Sequence, residues 1–483
     1  MDNLTLIELR KNLLAKKISS KEILTYYLDR IKKYDKTLNS YITVSEEDAL
    51  KKAVEFDNNF EKYKEKELAG IPISLKDVFS TKDILTTCAS RMLDNYIPVF
   101  DSTVVDRVLQ EEAIILGKTN LDQFCHGSGT ATSFYGPSRN PWDITKLPGG
   151  SSGGSASAIA ADLCAGTLGT ETAGSIRLPA SWCGLVGLKP TYGRVSRYGV
   201  LAMASSLDCP GPIAKSVEDA ALLLSIIAGH DSNDMTSSTT KVPAYHKELS
   251  VKKLKGMKLA LPKEYLDLQL ADGVRKNFMK CLDILKDHGA EIEEVNILDP
   301  KYSIAVYTIT CRSEVSSNLA RFDGTRYGLV GSKNSTIKEH YESSRGEGFG
   351  KEPKRRVMTG TYALSSSLSD DYFEKSEQVR ELIKEDFDNI LDKYDAIVAP
   401  STPTTALSDK DAENPLFGEI ADVLAEGSSE AGLPGITLPS GLSDGLPTGI
   451  QFIGRRFDEQ TILNLAYAVE KNIGRLILKD IKI

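Results

Sequence analysis

The chain has 483 residues, of which 41% are hydrophobic and 26% charged, with a net charge of −8 and a pI near 5.5. That length buries a large core and allows two or three domains, while the excess of acid excludes binding of nucleic acid through a basic surface of its own. No run of about 18 apolar residues occurs, and the start, MDNLTLIELRKNLLAKK, lacks the apolar core of a signal peptide. The expectation is an unexported protein with no membrane segment, working in the cytoplasm or, alternatively, in an organelle.

Along the chain, two capping boxes come first: Thr5 with Glu8 ahead of Leu9 and Leu13, and Ser19 with Glu22 ahead of Ile23, Tyr27 and Ile31. Both predict amphipathic helices. AGIPISLKDV then alternates Ile71, Ile73 and Leu75 with Pro72, Ser74 and Lys76. This is the pattern of a strand with one face buried, and it sets Lys76 at the strand's end on the other face. AIILGKTN, KLALP, DAIVAP, GITLP and GIQFIG read as further strands, and VEDAALLLSIIAG and DEQTILNLAYAVEKN as helices. Such interleaving predicts an α/β fold around a central mixed sheet. Residues 232–253 are polar and turn-rich, and read as a loop within one domain, a domain boundary being the alternative. The seven cysteines form no CxxC and no Cys/His cluster, so no zinc site is expected. The five histidines are scattered, and most read as surface or loop residues.

KLPGGSSGGSASA, residues 146–158, has the composition of a flexible linker. A phosphate cradle is the second reading, yet neither GxxxxGK[ST] nor GxGxxG is present. A third reading is the floor of an active site. Twenty-four residues beyond Ser151, the small-residue turn in GTETAGSIRLP presents Ser175. A serine hydroxyl is a weak nucleophile until a base takes its proton, and a neutral lysine at a strand end, such as Lys76, is such a base. Glycines around it let backbone N–H groups converge on a developing oxyanion.

GIPISLKD, PGGSSGGSASA and GTETAGSIRLPASWCGLVGLKPTYGRVS together resemble the amidase signature family. The resemblance implies an α/β amidase signature fold, a central mixed β-sheet covered by helices on both faces. It also implies a single domain over residues 1–483, with a core at about 65–230 and 395–475 and a helical glutamine-recognition region at about 300–430. Ser175 would be the nucleophile, Lys76 the base, and Ser151, after a cis peptide bond, the relay between them. The oxyanion hole would be Thr172, Ala173 and Gly174. Asp77 reads as structural, and Arg177 with Glu171 as a clamp on the nucleophile turn.

TTCASRML, SSNLARFDGTRYG, SRGEGFGKEPKRRVMTGTYALSS and AGLPGITLPSGLSDGLPTGIQFIG extend the likeness from residue 1 to about 475. They resemble the branch of that family that supplies ammonia to tRNA-dependent amidotransferases. That branch implies hydrolysis of glutamine through an acyl-serine, with Arg355 on the substrate carboxylate, Asp422 on its ammonium and Tyr307 alongside. It implies a heterotrimer in which a B subunit holds ATP, magnesium and most of the misacylated tRNA, and a small C subunit wraps this chain. No metal or organic cofactor is expected on this chain itself. A free-standing general amidase and a catalytically impaired scaffold are the alternatives.

Two departures bear on this. The usual Asp-Thr-Gly-Gly-Ser turn is Glu171-Thr172-Ala173-Gly174-Ser175 here. If the replaced glycine were left-handed, Ala173 would cost about 1–2 kcal/mol. The family's NLAGLPG is also altered, with Ser429-Glu430 before Ala431, close to the expected glutamine pocket.

Overall fold

Eleven strands join in one sheet: β1 (Tyr41–Val44), β2 (Pro72–Lys76), β3 (Ile114–Thr119), β4 (Gly166–Glu171), β5 (Val186–Lys189), β6 (Cys209–Ala214), β7 (Lys258–Pro262), β8 (Glu291–Val295), β9 (Ala396–Pro400), β10 (Gly435–Ser443) and β11 (Leu446–Gly454). The computed structural model describes residues 1–414 and 416–481. The sheet order is β1-β3-β2-β4-β6-β5-β10-β11-β9-β7-β8. It is mixed: β2 runs parallel to β3 and β4, and β7 parallel to β8 and β9, while the other neighbours are antiparallel.

Every residue of β2, β3, β4 and β9 is buried, so the middle of the sheet is covered on both faces. This corrects the half-buried reading of β2. Its Ile/Leu face and its Ser74/Lys76 face are both inside, because the Gly/Ser tract and its helix pack where solvent was expected. Both capping boxes form as predicted, opening the helices Leu6–Leu14 and Ser20–Leu38. The two apolar-periodic segments become the helices Val217–Ile227 and Glu459–Ile473. Residues 232–253 contain only two short 3-10 turns, Tyr245–Lys247 and Val251–Leu254. The buried Tyr245 fastens this excursion by donating its hydroxyl to Glu459, 2.8 Å away.

Register places the chemistry. Leu75 of β2 pairs with Leu168 of the parallel β4, so Lys76 emerges beside Thr170 at the carboxyl ends of two adjacent strands. In open α/β sheets that rim is where ligands bind. The helices Pro300–Asn318 and Lys351–Ala363 pack against each other and bring Tyr307 and the KRR run towards the same rim. The largest cavity, about 560 Å3, lies elsewhere, against β3 and the helix Glu46–Asn58, and none of the expected site residues lines it.

Candidate active site

Lys76 is fully buried, and its Nζ donates to Ser151 Oγ at 2.8 Å, Thr170 Oγ1 at 3.0 Å and Thr170 O at 3.3 Å. All three partners are neutral oxygens. The adjacent Asp77 faces away along the strand period; it takes the Thr87 N–H at 2.8 Å and pairs with buried Lys118 at 3.2 Å. Its part is structural.

The Gly150–Ser151 peptide is cis. The Gly/Ser tract is packed, not flexible: a methyl group on Gly150 would run into the Asp122 carboxylate and the backbone of Gly129 and Thr130. Asp122 itself accepts the N–H groups of Thr130 at 2.7 Å, Ala131 at 2.9 Å and Thr132 at 3.1 Å, folding the neighbouring loop onto the tract. Ser152 N–H donates to Ser175 O at 3.2 Å, which stitches the tract to the nucleophile turn.

That turn is fixed from below. The Glu171 carboxylate accepts the N–H groups of Ile176 and Arg177, each at 3.0 Å, and Arg177 Nε at 2.8 Å. Arg177 spends its remaining donors on Ser428 Oγ at 3.0 Å, Gln451 Oε1 at 2.9 Å, Ala173 O at 3.1 Å and Ala425 O at 3.0 Å. A buried guanidinium with every fork filled is a rigid bracket. Ala173 lies outside the left-handed region, so the cost considered for it is absent. Among the described residues no acceptor takes the backbone N–H of Thr172, Ala173 or Gly174.

Ser175 opens into a narrow cavity lined also by Cys125, Ser128, Tyr307, Arg356 and Asp422. Tyr307 Oη lies 3.5 Å from Thr172 Oγ1, and burial pushes its pKa well up, keeping the phenol neutral. Asp422 Oδ2 accepts from Ser128 Oγ at 2.7 Å, while Oδ1 is buried without a partner. Burial pushes the Asp422 carboxyl up to about 8, against the hydrogen bond from Ser128.

The arginine lining this cavity is Arg356 rather than Arg355. One helical step separates them: Arg356 turns inward and is 9% exposed, while the Arg355 side chain is 43% exposed at the rim of an outer cavity of about 260 Å3. Both hold Glu352, Arg355 through Nε at 2.7 Å and Arg356 through Nε at 2.8 Å. Burial raises the Glu352 carboxyl, and the two guanidiniums overcome that and bring it down to about 2.

The altered segment before Ala431 is part of the turn's support. Ser429 Oγ donates to Ala173 O at 2.6 Å. Glu426 and Glu430 are buried with no hydrogen-bond partner, and burial raises both pKa values well above the carboxylate range, so they sit as neutral acids. His126 departs from the surface reading: it is fully buried, both ring nitrogens lack partners, and burial holds it neutral. Thr170, Asp122, Ser128 and Arg356 had no role assigned from sequence. Only Asp122, at the head of a run of small residues, left a trace there as a loop anchor.

Among the described residues, no group of three or more His, Cys, Asp or Glu side chains is placed to hold a metal ion, and no helix is long and apolar enough to cross a membrane. The model of the amidase family matches residues 22–463. The chain is 47% identical over 470 residues to the A subunit of glutamyl-tRNA(Gln) amidotransferase from Thermoanaerobacter pseudethanolicus, covering 97% of this chain and 96% of that one. It is 47% identical to the corresponding A subunit from Enterococcus faecalis, covering 97% and 95%. The crystal structure of the A subunit from Thermotoga maritima superposes with a TM-score of 0.81 at 38% identity, over 99% of this chain and 98% of that one. A peptide amidase from Stenotrophomonas maltophilia superposes with a TM-score of 0.84 at 28% identity, over 99% of each chain. With its buried lysine, its cis-serine and its clamped serine turn at the rim of one mixed sheet, the chain belongs to the amidase family.

Proposed function

We propose that this chain is the glutaminase subunit of a tRNA-dependent amidotransferase: it hydrolyses glutamine and supplies the ammonia that converts Glu-tRNA(Gln), and in some hosts Asp-tRNA(Asn), to the amidated form. The observation that carries the reading is a single cavity with Ser175 at its floor and two opposite charges on its walls. Arg356 is a guanidinium fork for an α-carboxylate, and the unpartnered Asp422 Oδ1 is an acceptor for an α-ammonium. A free amino acid presents both groups, and a simple amide presents neither. Burial disfavours the charge of Arg356, but Cys311, Tyr307 and Glu352 beside it raise its pKa above the ordinary arginine value, so the fork stays charged.

In the proposed reaction Ser175 Oγ attacks the side-chain amide carbon, and its proton passes through Ser151 Oγ to Lys76 Nζ. The backbone N–H groups of Thr172, Ala173 and Gly174 offer donors for the oxyanion, each such donor being worth about 10²–10³ in rate. Collapse returns a proton to the leaving nitrogen and releases ammonia. Water then hydrolyses the acyl-serine by the same relay and frees glutamate. The Lys76–Ser151 distance of 2.8 Å supports the relay. Tyr307 supports the cavity from the side of Thr172.

The names of the relatives support a place beside B and C subunits, with ATP, magnesium and the misacylated tRNA held mainly by the B subunit, in the cytoplasm. The deciding experiment is a glutaminase assay of the chain alone and with partner subunits. Glutamine hydrolysis that rises on assembly, with ammonia able to replace glutamine in transamidation, is the expected result. Preference for neutral amides over glutamine would instead favour a free-standing amidase.

A further inference from the structure

Two thiols meet at the edge of this cavity. Cys125 lines it together with Ser175, and its Sγ lies 3.7 Å from Thr170 Oγ1, the atom that also receives Lys76 Nζ at 3.0 Å. Cys88 sits on the neighbouring turn, fastened by the Phe124 N–H donating to Cys88 O at 3.0 Å. The two side chains are within hydrogen-bonding reach of one another. Both residues are left-handed, with φ of 53° for Cys88 and 64° for Cys125, a backbone that persists only where its surroundings fix it. The pair is therefore held in place rather than meeting by chance.

We propose that Cys125 is an oxidative modification site in the floor of the active site, and that peroxide converts Cys125 and Cys88 to a disulfide that reversibly shuts the enzyme. In the first step the Cys125 thiolate attacks peroxide and the O–O bond breaks. Sulfur is oxidised to the sulfenic acid, and the leaving hydroxide takes up a proton to become water. In the second, the Cys88 sulfur attacks the sulfenic sulfur, its proton leaves with the hydroxyl as a second water, and the S–S bond forms. Two thiols have lost two electrons and two protons to one peroxide. The disulfide draws Cys125 away from Thr170 and so disturbs the hydrogen bonds that hold Lys76.

Electrostatics selects this thiol over its neighbours. The hydrogen bond from Cys88, with Lys76, Thr170 and Ser151 close by, brings the Cys125 thiol down to about 5 against the effect of burial. Burial pushes Cys88 up, and it pushes Cys311, which lines the same cavity, up to about 11. Of the two cysteines facing the cavity, only Cys125 has the thiolate that peroxide requires.

The loss of hydrolysis rests on the proposed glutaminase reading; the thiol chemistry does not. The test treats the chain, assembled with its partners, with hydrogen peroxide and maps its peptides without reduction. A cross-linked peptide joining Cys88 to Cys125, lighter by two hydrogens, is expected. Hydrolysis should fall at least tenfold and return with dithiothreitol. In Cys88→Ser the loss should persist after dithiothreitol, because the sulfenic acid has no partner and proceeds to the sulfinic acid. Cys311→Ser should behave as wild type, each variant being compared with its own untreated activity. Reduced Cys88 and Cys125 after treatment, oxidation at Cys311 in their place, or a formed disulfide with hydrolysis intact would each overturn the proposal. If untreated protein fails to hydrolyse glutamine, the functional reading falls while the peptide map still decides the thiol site.

Discussion

Asp422 Oδ1 rests against Gly174, so closely that any Cβ on residue 174 would overlap it. The residue before the nucleophile and the proposed ammonium partner thus share one contact, although 248 positions separate them. Gly174→Ala is expected to displace the Asp422 carboxylate and lower kcat/KM for glutamine at least tenfold. Combined with Asp422→Ala, the added loss should be far smaller than the product of the two, since both remove the same interaction. Steady-state kinetics of the four proteins checks this, and full additivity would refute it.

The proton relay predicts a graded series. Ser175→Ala should abolish hydrolysis, because no acyl-enzyme can form, and Lys76→Ala should lose several orders of magnitude. Ser151→Ala should fall between moderate and severe. Mass spectrometry of the trapped acyl-enzyme provides the check: an acyl group on a residue other than Ser175 would overturn the assignment.

The two arginines of the KRR run should separate sharply. Arg356→Ala leaves a substrate carboxylate unpaired in a buried cavity, a loss of roughly 3 kcal/mol, or about 10² in kcat/KM for glutamine. Arg355→Ala, at the exposed rim, should cost well under tenfold. Neutral amides and ammonia-dependent transamidation should be spared in both. The reverse ranking would return the carboxylate contact to Arg355.

Asp422 predicts a pH dependence with a definite sign. Its folded pKa of about 8 lies above the unfolded value of about 3.9, so below pH 8 the empty site holds a neutral acid. Pairing with an ammonium requires it to ionise, so KM for glutamine should rise as pH falls from 9 to 6. Asp422→Asn should abolish that slope along with most of the affinity. The same shift makes the carboxyl a burden on stability that develops between about pH 4 and 8 and is complete above the folded pKa. Accordingly Asp422→Asn should raise Tm at pH 8.5 and leave it nearly unchanged at pH 4.

Ala173→Gly should bring no gain. Because Ala173 is not left-handed, there is no strain for glycine to relieve. The variant should instead lose about 0.4–1 kcal/mol of stability through the freer unfolded chain. A rise in Tm in thermal melts would contradict the observed backbone.

Local sequence determined a good deal of this protein. Capping boxes, alternation in β2 and the helical period of residues 217–227 are short-range patterns, and each formed where its spacing put it. The glycine and serine of residues 146–158 and the turn at Ser175 were legible for the same reason, as backbone that only small residues allow. What sequence left open depends on which side chain faces inward and what lies opposite. Arg355 and Arg356 are indistinguishable as letters; only the packing of the helix Lys351–Ala363 against Pro300–Asn318 turns one into the cavity and leaves the other at its rim. The same holds for Thr170, which meets Lys76 through the parallel register of β2 and β4, and for Cys125, which meets Cys88 across 37 residues. Those relationships are long-range, and burial, which sets the pKa of Asp422 and the neutrality of Glu426 and Glu430, exists only once the sheet and its helices have closed around them.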